Sequence, residues 1–175
     1  MHFALLPLGL SLLTAQVLAD GASILAAMSK ISNATVALNN TLNSFPSNPL
    51  LAIGDIAPLL VDSVNLLDDI NSGTTIASKS ANLTLSETIE VAKATIALGT
   101  TVSTTLQNLI NAKPKFDKLV VISPVVLVNL KLEKDATDRF GKAVVSKVPS
   151  AFQGTAKGLL SPIDTAFNST IAFYS

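Results

Sequence analysis

Apolar positions recur at helical spacing along most of the chain. The first run, Ile24, Met28, Ile31, Thr35, Leu38, Leu42 and Phe45, alternates by four and three and marks one side of a helix. Ser44-Phe45-Pro46-Ser47-Asn48-Pro49 ends it, because the prolines remove amide donors and push the residues before them out of helical geometry. A second helix is predicted from about Leu50 to Ile70. One apolar stripe holds Ile53, Ala57, Leu60, Val64 and Leu67, and Ile56, Leu59, Leu66 and Ile70 run beside it, so the apolar face is wide. Pro58 kinks this helix or marks its true start, Asp55 is a cap upstream, and Asn71-Ser72-Gly73 stops it. Thr74 to Ala81 reads as a loop or short helical turn.

Thr84-Leu85-Ser86-Glu87 has capping-box spacing: the hydroxyl accepts a free amide of the first turn while the Glu reaches back to another. The third helix runs from there to about Ala112, with the stripe Leu85, Ile89, Ala92, Ile96, Gly99, Ser103, Leu106 and Ile110, large at its ends and small in the middle. A basic link, Ala112 to Leu119, leads through Val120-Val121-Ile122, the one segment that competes as a strand, to Ser123-Pro124 as cap and first helical position of a fourth helix. Its expected buried stripe is Val125, Val128, Leu132, Ala136, Phe140 and Ala143. Asp135 with Arg139 and Asp138 with Lys142 are spaced to pair on the wet side. After Pro149, Ser150-Ala151-Phe152-Gln153 is a second capping box. It opens a last helix with Phe152, Leu159, Ile163, Ala166, Phe167, Thr170 and Tyr174 inward, bent or restarted at Ser161-Pro162. Together these segments predict an all-α fold, an antiparallel bundle of about five long amphipathic helices.

Residues 1–19, MHFALLPLGLSLLTAQVLA, hold an apolar run from Phe3 to Leu13 and end in Val17-Leu18-Ala19, the arrangement of a secretory signal peptide. We therefore expect a leader over 1–19, one helical domain over 20–175, and a secreted, extracellular protein. No later stretch reaches 18 uninterrupted apolar residues, so no transmembrane segment is expected in the mature chain.

Composition narrows the chemistry. Hydrophobic residues make up 49% of the 175 and charged residues 14%, with 12 Lys plus Arg against 12 Asp plus Glu, so nothing favours nucleic acid. There is no Cys, and the single His lies in the leader. Ser-His and Cys-His nucleophiles, disulfides and zinc sites built on imidazole or thiolate are thereby excluded, and no metal or cofactor is expected. Among carboxylates, Asp68 and Asp69 are adjacent and point about 100° apart on a helix, and Glu87 and Glu90 sit where acids offset a helix dipole. No enzymatic activity is expected. Gly154-Thr155-Ala156-Lys157-Gly158 suits close helix packing. Charge is uneven: Lys113 to Lys157 holds nine basic and four acidic residues, and Asp20 to Ala112 holds three basic and seven acidic. The cluster Lys113, Lys115 and Lys118 is a candidate for an anionic head group. Asn-x-Ser/Thr acceptors at Asn33, Asn39, Asn82 and Asn168 agree with a secretory route.

Three segments carry a family resemblance: Leu42-Asn43-Ser44-Phe45-Pro46, the link Ala112-Lys113-Pro114-Lys115-Phe116-Asp117-Lys118-Leu119, and the closing Thr165 to Ser175. In order and spacing the chain resembles the hydrophobic surface binding protein A family of filamentous fungi, which includes cell wall galactomannoproteins. The resemblance implies a secreted, non-enzymatic helical bundle that adsorbs to hydrophobic surfaces. It further implies recruitment of polyester-degrading esterases in some members, and a fatty acid enclosed between helices in related wall proteins. The sequence shows neither a Ser/Thr-rich stalk nor a hydrophobic C-terminal tail, so any association with the cell wall is expected to be non-covalent.

Both lines of reasoning converge on apolar binding, since wide apolar faces with small residues mid-helix either open a cleft or expose a stripe. The expected partner is a fatty acid or other lipid, or a hydrophobic solid surface, with a secreted hydrolase docked by the same protein as the alternative. Phe116, Val128, Phe140, Phe152 and Phe167 are the candidate apolar contacts.

Overall fold

The computed structural model describes residues 20–119 and 121–175; the expected leader and Val120 lie outside them. Among the described residues every regular element is helical. The five long helices are α1 (Asp20–Ser44), α3 (Ile56–Lys79), α4 (Leu85–Phe116), α5 (Ile122–Lys147) and α6 (Gln153–Tyr174), with a short α2 (Pro49–Ala52) between the first two. Single 3-10 turns lead into α3, α5 and α6.

Local signals explain most boundaries. The expected stripe of α1 is buried throughout, from Ile24 to Phe45. Asn48 caps α2 by accepting from the Leu50 amide, and Pro49 fits that first turn because its missing N–H has no helical partner there. Pro58 falls in the first turn of α3 and so marks a start rather than a kink, although Asp55 caps by position without a side-chain hydrogen bond. At Thr84 the capping box forms as expected.

Other expectations are corrected. Asn71-Ser72-Gly73 does not stop α3, which runs on to Lys79. Gly73 is a packing residue: a Cβ there would meet Phe140 Cε2 at 3.2 Å and Ile31 Cδ1 at 3.3 Å. Val121, not Ser123, precedes α5, and Ser123 Oγ donates to Asp117 Oδ1 (2.6 Å) instead of capping. Ile122 begins α5 and forms no strand. The second capping box is replaced by a 3-10 turn at Ser150–Phe152, and Pro162 sits inside a continuous α6. Lys134 pairs with Asp138 (2.8 Å) while Arg139 donates to Asn71 Oδ1 (3.2 Å), in place of the two expected pairs. Gly154 and Gly158 face open space. Close approach occurs at Gly141 instead, where a Cβ would lie 2.7 Å from Leu160 Cδ1.

The packing order decides the interior. α1 packs on α3 and α4, α3 also on α5, and α6 on α4 and α5, so the five long helices close a ring in the order α1, α3, α5, α6, α4. Successive helices reverse direction, but only α1 with α3 and α5 with α6 are partners both in sequence and in the ring. Five helices spaced roughly 9 Å apart around a ring leave its axis about 8 Å from each helix axis, farther than a helix with side chains reaches. Unless large residues fill it, the centre stays open.

At one end it is filled. Phe45 and Phe116 pack edge to face with ring centroids 4.9 Å apart. Tyr174 Oη donates to the Leu109 carbonyl (2.7 Å), and Lys115 Nζ to that of Phe45 (2.7 Å). Burial, aided by Asp117, raises the Tyr174 phenol above its ordinary range and keeps it protonated as that donor.

Candidate functional site

At the opposite end the ring is open. A cavity of about 280 Å³ lies among the first half of α4, the second half of α5 and the first half of α6, with Met28 of α1 on its floor. α4 contributes Leu85, Thr88, Ile89, Ala92 and Thr95; α5 contributes Phe140, Gly141, Val144, Val145 and Val148; α6 contributes Thr155, Ala156, Leu159, Leu160 and Ile163. Leu85 (56% exposed), Ile89 and Phe152 form the rim, while Val91, Leu98, Phe140, Val144 and Ile163 are buried. No ionisable side chain lines this space. Its only polar side chains are the hydroxyls of Thr88, Thr95, Thr137 and Thr155. Thr95 Oγ1 is taken up by the Val91 carbonyl (2.8 Å), which leaves the wall still more apolar. Ala92 and Ala156 are small residues on the cavity wall and leave space that Leu or Phe would take up.

Two smaller chambers lie in sequence beyond the cavity, each sharing lining residues with the one before it. The nearer, about 50 Å³, shares Leu98, Thr137, Phe140 and Ile163 with the main space and is closed below by Phe167. The farther, about 40 Å³, shares Leu38, Leu109 and Glu133 with the nearer. Glu133 is 5% exposed, and its Oε1 accepts from Ser63 Oγ (2.7 Å). Burial in this apolar surrounding pushes its carboxyl up to about 7, against the smaller opposing effect of the Ser63 hydrogen bond.

The expected contacts divide between the two ends. Phe140 lines both the main cavity and the nearer chamber, Phe152 stands at the rim, and Phe167 closes the nearer chamber. Phe116 belongs to the sealed end, and Val128 is exposed on the outside of α5. The lysine cluster is not at the cavity. Lys113 lies about 22 Å along α4 from Leu98, where it pairs with Asp117 (2.9 Å) and stands 5.5 Å from the Tyr174 ring centroid. Lys115 ties down Phe45, and Lys118 is exposed beyond it. Ser123 and then Lys113 hold Asp117 below the ordinary carboxylate range. Of the acceptor asparagines, Asn33, Asn82 and Asn168 are exposed, while Asn39 is half-buried and accepts from Asn108 Nδ2 (2.8 Å).

The sequence model of the family described as hydrophobic surface binding protein A (HsbA) matches residues 21–146. The chain belongs to that family. The match stops within α5, so α6, one wall of the cavity, lies beyond it. No curated protein matches this chain in sequence. Among solved structures it is similar to AFMP4P in complex with palmitic acid, with a TM-score of 0.80 and 26% identity over 89% of this chain and all of that one. It shares its fold with ligand binding domain 1 of Penicillium marneffei MP1 complexed with arachidonic acids (TM-score 0.82, 20% identity, 89% of this chain and 99% of that one). Domain 2 of the same protein, complexed with multiple arachidonic acids, also shares it (TM-score 0.80, 19% identity, 88% and 95%).

The expected stripe of α4 is buried at Gly99 and Leu106 but not along its whole length. Leu85, Ile89 and Ile96 are exposed, and the buried line is Val91, Thr95, Leu98, Thr105, Leu106 and Leu109. In the first half of α5 the buried residues are Ile122, Val126, Leu130 and Glu133, whereas Val125, Val128 and Leu132 face outward. Both errors come from apolar residues on two sides of one helix. Glu133 was missed, although a signal existed: it continues the spacing Ile122, Val126, Leu130 and puts a carboxylate on an apolar stripe.

The outer face carries its own apolar surface. Leu50 (81% exposed), Leu51 and Ile53 project near the sealed end, with Val61 and Val64 on α3, Val121 just before α5, and Val125 and Val128 on α5. By length and mean hydropathy Pro49–Lys79 is long and apolar enough to cross a bilayer. In the structure it packs against α1 and α5.

Proposed function

We propose that this protein is a secreted, non-enzymatic lipid binder that encloses a fatty acyl chain in the cavity between α4, α5 and α6. One observation carries the reading: an open-ended space of about 280 Å³ whose apolar walls are interrupted only by four threonine hydroxyls, with no ionisable group among the lining residues. A sixteen-carbon chain moved from water into it gains roughly 12 kcal/mol gross at about 0.8 kcal/mol per methylene, before ordering costs. The palmitic acid held by the 26% identical AFMP4P supports a fatty acid as the guest, and the leader pattern over 1–19 supports export. The test is organic extraction and mass spectrometry of protein purified without detergent, together with calorimetric titration of delipidated protein with palmitate. Saturable one-to-one binding is expected; the absence of both a co-purifying lipid and palmitate uptake would refute the reading.

A second reading rests on a different face. Leu50, Leu51 and Ile53 expose more apolar surface than folding uses, which suits adsorption to a hydrophobic solid. Depletion from solution by polystyrene or polyester beads, unaffected when the cavity is blocked, tests it.

A further inference from the structure

Among the described residues Glu133 is the one buried acid, and packing does not explain it. Glu133 Oε1 is satisfied by Ser63, but Oε2 has no hydrogen-bond partner among the described residues. It is not sealed in protein either, since Glu133 lines both small chambers. An oxygen that opens onto a chamber without a protein partner is free to bond a polar guest atom there. Glu133 lies one helical turn, about 6 Å, below Thr137, which borders both the main cavity and the nearer chamber. A chain passing Phe140 therefore arrives at this carboxyl.

We propose that Glu133 and Ser63 form an inner polar station that receives the hydroxyl end of an aliphatic guest, a fatty alcohol or terminally hydroxylated chain, inserted head-inward from the main cavity. Size favours so small a group. The nearer chamber, about 50 Å³ against about 280 Å³ for the main cavity, suits a small polar end group. Charge favours it as well. No Lys, Arg or second acid lines the cavity or either chamber, so a guest carboxylate would face Glu133 without a counter-ion. A hydroxyl both donates and accepts, and it matches Glu133 whether the carboxyl is protonated or ionised. The elevated proton affinity of Glu133 agrees with an interior that admits neutral groups.

This inference rests on the lipid-binding reading above, and the experiment separates the two. Delipidated full-length protein is titrated with dodecane, dodecan-1-ol and, at pH 9, laurate. The alcohol is expected to bind about tenfold more tightly than the alkane, as one net hydrogen bond implies. Glu133→Leu should bring the alcohol to the level of the alkane while leaving the alkane and laurate no weaker. Glu133→Gln, which keeps polar atoms at that position, should retain most of the preference, and Ser63→Ala should reduce it; far-UV circular dichroism checks that each variant folds. Equal binding of alcohol and alkane by the wild type, or a preference that survives Glu133→Leu, overturns the inner station but leaves the cavity reading standing. Failure of all three probes to bind overturns both.

Discussion

Glu133 also makes a prediction about the empty protein. Its carboxyl titrates near 7 in the fold against 4.5 ordinarily, because burial penalises the charged form more than the Ser63 hydrogen bond favours it. The folded state therefore holds a proton that the unfolded chain releases between about pH 4.5 and 7. By linkage this group's contribution is most favourable below about pH 4.5, is lost as pH rises through that window, and is constant above it. The difference in proton affinity corresponds to about 3 kcal/mol between the two plateaus. Glu133→Gln keeps the shape, can still bond Ser63 and cannot ionise. The variant should thus match the wild type at pH 4 and exceed its stability by about 3 kcal/mol at pH 8. Urea unfolding followed by far-UV circular dichroism is the suitable assay, since the chain has no Trp to report by fluorescence. The difference between the two proteins at pH 4, 5.5, 7 and 8 cancels the titration of the other carboxylates. A difference that stays flat across this range would show that Glu133 ionises like an exposed acid and would refute the account of the interior.

Four further outcomes follow from the same geometry. Ala156→Trp, which places a large side chain in the main cavity, should abolish palmitate uptake in calorimetry while helical content is unchanged. Replacing Leu50, Leu51 and Ile53 together by Ser should reduce depletion by polystyrene beads and leave palmitate affinity within about twofold. Phe116→Ala should cost about 3–5 kcal/mol in urea unfolding, because Phe116 is fully buried against Phe45; palmitate binding at a permissive temperature should persist, since the residue is at the sealed end. Thr84→Ala removes the capping box of α4 and should cost about 1 kcal/mol by the same assay.

The readability of each element depended on how one-sided it is. α1 was legible to the residue because its apolar positions form a single line and its outer face is polar. The capping box at Thr84 was legible because its hydrogen bonds are local in sequence. α5 was not, since Val125 and Val126 are neighbours of equal hydropathy, and only the position of α3 beside it determines which one turns inward. Gly73 reads as a stop signal when α3 is taken alone; Phe140 and Ile31, distant in sequence, make it a contact. Of the small residues on the expected α4 stripe, Ala92 lines the cavity and Gly99 and Ser103 do not, because the place of the cavity depends on the ring order, which no periodicity encodes. Phe140, Phe152 and Phe167 were found because aromatic residues are scarce; Glu133 was passed over because a charge is ordinarily counted as surface.

The open end of the ring has a further meaning for the fold itself. The apolar walls of α4, α5 and α6 stand apart across a space of about 280 Å³ and so do not pack on one another there. On the proposed reading, an aliphatic guest would supply the contacts that these walls do not make with one another, as a detachable piece of the hydrophobic core. Thermal resistance then becomes a gauge of cargo, rising with loading and falling on delivery.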